Sequence, residues 1–167
     1  MHAGARNLID RLGLEPHPEG GWLREVYRSH LTLPVDALPH GYAGERPAAT
    51  SILYLLADDA VSRLHRLRGD ELWVRQAGHG LRLHVLHAGG RYEQITLGAG
   101  ADQVFQAAVP GGSWLGAELP EGADWALMAC VMAPGFAEED WELARRQDLL
   151  AAYPTYADLI IRLAPAG

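Results

Sequence analysis

A short stretch in the middle of the chain, residues 62–78, contains side chains that could do acid–base chemistry. His65 lies on one side of the turn signal Gly69-Asp70, and Glu71 lies on the other side. If both flanks are β-strands, the stretch is a hairpin or a bent pair of strands. A carboxylate beside an imidazole raises its pKa and fixes its tautomer, as a general base near neutral pH requires. His65 and Glu71 are therefore candidate catalytic residues. The alternative is a hydrogen-bonded polar pair that caps the hairpin.

Aromatic and basic side chains near this pair are candidates for binding a ligand. With a period of two, Glu71, Trp73 and Arg75 share one face of a strand. A buried face of this composition is expected to line a pocket, so Trp73 and Arg75 are candidate ligand-binding residues. Trp114 is a further candidate, because aromatic walls bind sugars and other flat ligands. For both tryptophans the alternative is packing in the core.

The Pro- and Gly-rich segment 16–21 contains His17 and Glu19. One interpretation is a loop that folds over the mouth of the pocket, which makes His17 and Glu19 candidate ligand-binding residues. The alternative is turn chemistry alone, in which glycine provides a positive φ and proline provides rigidity.

Tyr54 and Arg28 lie in strand-like segments and have two interpretations each. A tyrosine can act as the acid beside a histidine base, as in an epimerase-like mechanism, which makes Tyr54 a third candidate catalytic residue. An arginine suits a carboxylate or phosphate of a ligand, which makes Arg28 a candidate binding residue. The alternative for Tyr54 is packing, and the alternative for Arg28 is an ion pair. For Tyr27 packing is the better explanation.

The elements that must position these residues are mostly strands. Turn residues divide the chain after residue 50 into eight segments of strand length, at spacings of about ten residues. These segments are 50–57, 61–67, 71–77, 81–87, 92–97, 103–109, 113–118 and 125–132. Such a series is typical of an antiparallel sandwich or barrel.

The two ends of the chain have a helical pattern. Residues 5–13 predict a short helix with Gly13 at its C-terminal cap, and residues 31–48 predict a long loop. Residues 138–151 and 154–163 predict two helices, the first with an acidic first turn. With no repeat and no linker, residues 1–167 are predicted to form a single domain.

Composition excludes some functions. The formal net charge of −7 argues against a nucleic-acid partner, because phosphate binding favours a basic surface. The single cysteine, Cys130, lies in an apolar run and is expected to be a buried, inert thiol. Apolar runs long enough for a signal peptide or a membrane-spanning helix are missing, so the cytoplasm is the expected location, without a membrane partner.

Seven sequence blocks follow one another along nearly the whole chain. They are PHPEGG at 16–21, EVYRS at 25–29, TSILYLL at 50–56, HR at 65–66, DELW at 70–73, VPGGSW at 109–114 and APGF at 133–136. Together they resemble a small family of uncharacterised cupins, the DUF985 or Cupin_5-like family. The resemblance implies an all-β double-stranded β-helix, a jelly-roll barrel with a short N-terminal helix and a helical C-terminal tail. It also implies a small-molecule pocket inside the barrel and a homodimer.

The general metal-binding pattern of cupins is only half present. His65 stands where the first histidine belongs, and Glu71 has the expected distance from Gly78, but Leu67 and Leu115 occupy the positions of the other two histidines. Because stable metal sites normally need three or four ligands, no cofactor is expected. A divalent metal at His65 and Glu71 remains a weak alternative.

Three classes of function are compatible with these residues. The first is a metal-independent isomerase or epimerase on a small polar, sugar-like substrate, with His65 as base and a tyrosine as acid. The second is a non-catalytic protein that binds a small molecule. The third is a metal-dependent oxygenase or decarboxylase, against which the missing ligands count.

Overall fold

The computed structural model describes residues 1–164, which form strands with short helices at both ends. The helices are α1 (Ala3–Leu12), α2 (Arg146–Ala152) and α3 (Ala157–Leu163). The strands are β1 (Glu15–Pro16), β2 (Trp22–Arg28), β3 (Thr32–Leu33), β4 (Arg46–Pro47), β5 (Thr50–Ala57), β6 (Val61–Leu67), β7 (Glu71–Gly78), β8 (Leu81–Leu86), β9 (Tyr92–Leu97), β10 (Gln106–Val109), β11 (Trp114–Glu118), β12 (Trp125–Met132) and β13 (Trp141–Leu143). Among these residues no helix is long and apolar enough to span a bilayer.

Two antiparallel sheets form the barrel. The six-stranded sheet has the order β1-β2-β5-β12-β7-β10, and the five-stranded sheet has the order β13-β6-β11-β8-β9. Most strands that are neighbours in a sheet are distant in the chain, as β5 and β12 illustrate. This connectivity is that of a jelly-roll double-stranded β-helix, and the predicted all-β fold with a short N-terminal helix and a helical C-terminal tail is confirmed.

The apolar core fills one end of the space between the sheets. Tyr54, Trp73 and Met128 from the six-stranded sheet pack with Leu83 and Leu115 from the five-stranded sheet in one buried cluster. Smaller clusters lie outside the barrel, one under α1 and one under α2 and α3. The inner faces of both sheets are therefore apolar around this cluster.

Of the two alternatives predicted for the turn at Gly69-Asp70, the structure excludes the hairpin and agrees with two strands joined by a bend. Strand β6 pairs with β11 and β13, whereas β7 pairs with β12 and β10 in the other sheet. The bend at Gly69 therefore carries the chain from one sheet to the other. As a consequence, His65 at the end of β6 and Glu71 at the start of β7 approach the barrel interior from opposite sheets.

The predicted helix over 138–151 is wrong in its first half. Residues Glu138–Asp140 form one 3₁₀ turn, and β13 then pairs antiparallel with the edge of β6. The acidic residue Asp140 does not serve a helix dipole, because its buried carboxylate accepts hydrogen bonds from Arg46 and Arg68. Tertiary pairing of this segment therefore overrides its helical pattern.

The other predicted elements agree with the structure within a few residues. The strands 50–57, 61–67, 92–97 and 125–132 have the predicted bounds. The predicted N-terminal helix begins two residues earlier and ends at Gly13, which has a left-handed conformation. The loop 31–48 contains one 3₁₀ turn and the short pair β3–β4.

Candidate functional site

A cavity of about 240 Å³ opens between the two sheets at the end of the barrel that the core does not fill. Apolar side chains from both sheets form most of its wall, and a group of acidic and basic side chains shares it. The lining residues are His17, Glu19, Leu23, Glu25, Arg28, Thr50, Ile52, His65, Leu67, Glu71, Cys130, Met132, Phe136 and Trp141. This is a concave, partly apolar site with a few convergent polar groups, as small-molecule sites usually are.

The loop 16–21 forms one side of the cavity, as predicted. The backbone carbonyl of Glu19 accepts a hydrogen bond from the Arg63 N–H at 2.6 Å, which fixes the loop to strand β6. Gly20 and Gly21 have φ values of 102° and 70°. A Cβ at Gly20 would lie 2.1 Å from the Val61 carbonyl oxygen, so the close approach of loop and strand requires glycine. The loop therefore holds Glu19 against the end of β6.

His65 presents one ring nitrogen to the cavity. Its Nδ1–H donates a hydrogen bond of 2.7 Å to the Arg63 carbonyl, which fixes the tautomer and leaves the Nε2 lone pair free. The side chain is 2% exposed. Burial lowers the pKa of His65, and this effect outweighs the opposing effects of Glu71 and the Arg63 carbonyl. The neighbouring carboxylate of Glu71 raises this pKa, as predicted, but burial lowers it by more, so the imidazole is mostly neutral at pH 7.

Glu19 provides the carboxylate oxygen nearest to His65. Its Oε2 lies 3.5 Å from His65 Nε2 and 3.6 Å from His17 Nδ1, and it accepts a hydrogen bond of 3.4 Å from Trp141 Nε1. Burial raises the pKa of Glu19 to about 7, although His17 and the indole of Trp141 act in the opposite direction. The sequence predicted Glu71 as the partner of His65, but in the structure Glu19 is within ion-pair distance.

Glu71 lies on the opposite wall of the cavity. Its Oε2 accepts a hydrogen bond of 2.6 Å from Trp73 Nε1, and among residues 1–164 no group donates to its Oε1. Burial raises the pKa of Glu71 to about 7; His65 and Trp73 lower it, whereas Glu19 adds like-charge repulsion. Two carboxyl groups with a pKa near 7 therefore face the same small space.

Four predicted site residues do not line the cavity. The Tyr54 hydroxyl donates a hydrogen bond of 2.8 Å to the Gly20 carbonyl, so Tyr54 stabilises the loop 16–21. Its hydroxyl does not line the cavity and therefore cannot protonate a ligand there. Trp73 is buried behind Glu71 and touches the site through its N–H. The Arg75 guanidinium donates a hydrogen bond to the Gly78 carbonyl. Trp114 packs against the apolar cluster under the C-terminal helices, and the Arg66 guanidinium lies over its ring. Arg75 and Trp114 therefore lie away from the cavity, which contradicts their prediction as ligand-binding residues.

Arg28 lines the cavity at an exposed position, and it forms the ion pair that was the alternative to ligand binding. Its Nε and Nη2 donate to the two carboxylate oxygens of Glu25 at 2.8 and 2.6 Å, and its Nη1 donates to the Phe136 carbonyl. A bidentate pair of this kind is the strongest geometry for an arginine and a carboxylate. The guanidinium is therefore not free to bind an anionic ligand.

Nine of the lining residues were not predicted as part of the site, and Trp141 and Cys130 are the two of them that contact or influence the acidic groups. Trp141 was assigned to a helix, so its contact with Glu19 was not foreseen. Cys130 was predicted as a buried thiol, and its pKa is raised well above the usual value by burial and by the two acidic residues. The alternation of apolar residues along 125–132 contains the signal that Cys130 faces the interior, since it shares a face with Met128 and Met132.

The side chains present do not fit the metal centre of the general cupin pattern. Leu67 lines the cavity and Leu115 is in the core, where the pattern has histidines. Within residues 1–164, no group of three or more His, Cys, Asp or Glu side chains is placed to hold a metal ion. The chemistry of this site is therefore derived from its own acidic and basic groups. The prediction that the protein uses no metal stays a prediction.

The jelly-roll barrel with an interior cavity defines a cupin, and comparison with known proteins gives the family. The family model described as "Cupin superfamily (DUF985)" matches residues 6–144. The chain therefore belongs to this family, as the sequence blocks predicted.

Relatives of this family have been found in distant organisms. A hypothetical protein from Leishmania major has a solved structure that is 33% identical, with a TM-score of 0.87 over 96% of this chain and 98% of that one. A protein of Shewanella oneidensis is 32% identical, with a TM-score of 0.86 over 98% of both chains. An uncharacterised protein of Saccharomyces cerevisiae is 28% identical over 87% of this chain and 77% of its own length.

A more distant solved structure shares the fold alone. Oxalate decarboxylase from Bacillus subtilis is 18% identical, with a TM-score of 0.53 over 89% of this chain and 36% of that one. At this level of identity the likeness says nothing about the chemistry of the present site.

Proposed function

We propose that this protein is a metal-independent isomerase or epimerase that moves a proton on a small polar, sugar-like molecule bound in the cavity. The observation that carries the proposal is the free Nε2 of His65, 3.5 Å from the Glu19 carboxylate at the wall of a cavity. Proton transfer needs a base, a group that positions the base and balances its charge, and an acid, and His65, Glu19 and Glu71 can fill these three roles in one concave site.

In this proposal His65 is the base. Its Nδ1–H is held by the Arg63 carbonyl, so its Nε2 accepts a proton from a carbon next to a carbonyl group of the ligand. The imidazolium that forms is then stabilised by Glu19, whose carboxylate lies next to the same nitrogen. Glu19 therefore has the role of a positioning and charge-balancing group.

Glu71 is the acid. Its pKa near 7 keeps a large share of the carboxyl groups protonated at neutral pH, and its Oε1 has no donor among residues 1–164. The proton of Glu71 passes to the carbonyl oxygen of the ligand as His65 removes the carbon-bound proton, which gives an enol. When the deprotonated carbon carries a hydroxyl group, the enol is an enediol: the His65 imidazolium returns its proton to the former carbonyl carbon while Glu71 takes the proton of that hydroxyl, which gives an isomer. When the enol turns over in the cavity, the imidazolium returns its proton to the other face of the original carbon while Glu71 regains its proton from the enol hydroxyl, which gives an epimer.

The size of the cavity limits the ligand. Ligand sites commonly enclose about 300–1,000 Å³, and this cavity of about 240 Å³ lies just below that range. A nucleotide would have to extend out of the mouth, where Arg28 is occupied by Glu25. A free, sugar-sized molecule is therefore favoured over a sugar nucleotide.

Exchange of carbon-bound hydrogen with deuterated water tests the proposal without knowledge of the product. A panel of aldoses, ketoses and amino sugars is incubated with the protein in D₂O and followed by proton NMR. We expect His65-dependent loss of one signal next to a carbonyl carbon. His65→Gln should lower the exchange rate by about 10²-fold or more, because general acid–base groups contribute about 10²–10⁴-fold.

His79→Gln is the matched control, since His79 is an exposed histidine of a turn outside the cavity. It should exchange at the wild-type rate. Equal rates for wild type and His65→Gln, with both proteins folded by circular dichroism, would refute His65 as the base.

A non-catalytic binding protein is the second candidate, and the placement of Tyr54 favours it. The predicted tyrosine acid donates to the Gly20 carbonyl outside the cavity, so the epimerase-like pair of histidine and tyrosine is incomplete. Thermal stabilisation by a ligand that shows no exchange and no product would support this candidate. The cytoplasmic location and the homodimer stay predictions.

A further inference from the structure

The charges around the cavity are unbalanced in one direction. Three carboxyl groups line it, those of Glu19, Glu25 and Glu71, against one permanent cation, Arg28. Arg28 is paired with Glu25 in a bidentate contact, so among residues 1–164 the only basic side chains within ion-pair distance of Glu19 are histidines, and Glu71 has none. At about neutral pH one of these two carboxyl groups is ionised on average, since burial raises the pKa of both to about 7.

An unused acceptor and aromatic walls complete this picture. Glu71 lines the cavity and is 6% exposed. Among residues 1–164, its Oε2 accepts a hydrogen bond from Trp73, and no group donates to its Oε1. This Oε1 borders the open volume of the cavity, where the donor group of a ligand can reach it. Phe136 and Trp141 line the same volume, and aromatic rings attract cations that are removed from water.

On these grounds we infer that the ligand of the cavity is a small organic cation, a molecule whose protonated amine lies between Glu19 and Glu71. This inference rests on the proposed function and names the substrate class of the same site, so that an amine-bearing, sugar-sized carbonyl compound is the expected substrate. One positive charge matches the one ionised carboxylate, and the second carboxyl keeps its proton for the transfer step.

An anionic ligand does not fit this site. It would approach Glu19, Glu25 and Glu71, and the guanidinium of Arg28 would first have to leave Glu25, with which it makes contacts of 2.8 and 2.6 Å. Like charges in a buried space repel strongly because water screens them little. A neutral ligand fits in size but leaves the ionised carboxylate without a partner.

Cation binding should depend on pH in a specific way. The groups that face Glu19 and Glu71 are His17, His65 and Cys130, and the pair of Glu25 and Arg28 lies at the mouth. The imidazoles are neutral at pH 7, because burial lowers their pKa, and the thiol is neutral because burial raises its pKa. One carboxyl group must lose a proton as the cation binds, so affinity should rise up to about tenfold per pH unit from pH 5 to about pH 7, then level off.

Three probes of one carbon skeleton test the inference: cyclohexylamine, cyclohexanol and cyclohexanecarboxylate. An alkylammonium group has a pKa near 10, so the amine probe stays charged over the whole pH range. By isothermal titration at pH 7, we expect cyclohexylammonium to bind at least tenfold more tightly than cyclohexanol, and cyclohexanecarboxylate to bind most weakly. In a second titration at about pH 5, where Glu19 and Glu71 are both mostly protonated, proton release on binding of the amine should appear as a dependence of the measured heat on the buffer.

The double variant Glu19→Gln/Glu71→Gln should lose the preference for the amine and keep the binding of cyclohexanol, which shows that the cavity is intact. Glu15→Gln/Glu121→Gln, which removes two exposed carboxylates outside the cavity, is the matched control and should keep the preference. Equal or tighter binding of the alcohol or the carboxylate, or an affinity for the amine that falls with rising pH, would overturn the inference.

The two proposals can fail separately. Preferred binding of the amine without any hydrogen exchange leaves the ligand class standing and removes the isomerase function. Exchange that depends on His65, without preference for the amine, overturns the ligand class and leaves the isomerase function standing.

Discussion

Two buried histidines in this molecule lie beside carboxylates, and their surroundings differ in one respect. His65 and His84 are each 2% exposed. His84 Nε2 is 3.2 Å from Glu118 Oε1, and His84 Nδ1 is 2.8 Å from the Tyr92 hydroxyl, so both ring nitrogens are occupied. His65 uses one nitrogen for a backbone carbonyl and turns the other toward a cavity.

The carboxylates of the two regions differ even more. Burial alone would raise the pKa of Glu118, but hydrogen bonds and charge from Arg162 and His84 lower it below its usual value. Glu19 and Glu71 lack an arginine, and burial raises the pKa of each to about 7. A histidine beside a glutamate is therefore structural where arginines saturate the carboxylate, and can act on a ligand where the carboxylate faces an unfilled space.

The largest expected difference between the two regions is in activity. Glu19→Gln removes the group that stabilises the His65 imidazolium, so the rate of hydrogen exchange on the substrate should fall about 10²-fold. Glu118→Gln should leave this rate unchanged, because Glu118 is on the outer side of the five-stranded sheet. If the same NMR assay showed a similar loss of exchange rate in both variants, Glu19 would have no special role compared with Glu118.

The second difference concerns the pH dependence of stability at Glu71. A carboxyl group whose pKa is raised on folding binds more protons in the folded state between pH 4.5 and about 7, so its contribution to stability falls as the pH rises through this range. Glu71→Gln should therefore match wild type near pH 5 and be more stable by about 1–3 kcal/mol at pH 8. Urea unfolding at both pH values measures this, and a less stable variant at pH 8 would contradict the account.

Glu118 should show the opposite sign in the same experiment. Its pKa is lowered on folding, so its contribution is present above its unfolded pKa and is lost as the pH falls through its folded pKa. Glu118→Gln should therefore destabilise the protein at pH 8 by about 1–2 kcal/mol, through weakened contacts with Arg162 and His84. Unchanged stability at pH 8 would show that these ion pairs contribute nothing.

The smallest expected effect tests the support of Glu71 by Trp73. Trp73→Phe removes the hydrogen bond that favours the ionised carboxylate, so the pKa of Glu71 should rise by less than about one unit. Infrared titration of the protonated carboxyl band measures the shift. Trp125→Phe, in the cluster under α1, is the control and should leave the titration unchanged.

The fold was predictable from the sequence, and five of the nine predicted site residues line the cavity. Alternation and turn residues predicted the strands, and His65, Glu71, His17, Glu19 and Arg28 all line the cavity. These residues were identifiable because polar side chains at the ends of otherwise apolar strands, or in a Gly-rich loop, need a special environment.

What the sequence could not provide was the pairing between distant segments. His65 meets Glu19 because the loop 16–21 crosses strand β6, a contact between residues far apart in the chain. Trp141 lies at the site because residues 141–143, whose sequence pattern is helical, pair as strand β13 with the edge of β6. Tyr54, Arg75 and Trp114 were wrongly predicted to line the pocket. The alternation of side chains shows which face of a strand a residue lies on, but not which part of that face borders a cavity.

The central claim is that Glu19 and Glu71 face the cavity, are paired with no lysine or arginine among residues 1–164, and therefore titrate near neutral pH. The most direct measurement is an infrared titration of the protonated carboxyl band in the ligand-free protein, with Glu19→Gln and Glu71→Gln as assignments. The account predicts two carboxyl groups that titrate at about pH 7, one missing in each variant. Titration of every carboxyl group below about pH 5, as for ordinary exposed glutamates, would contradict it.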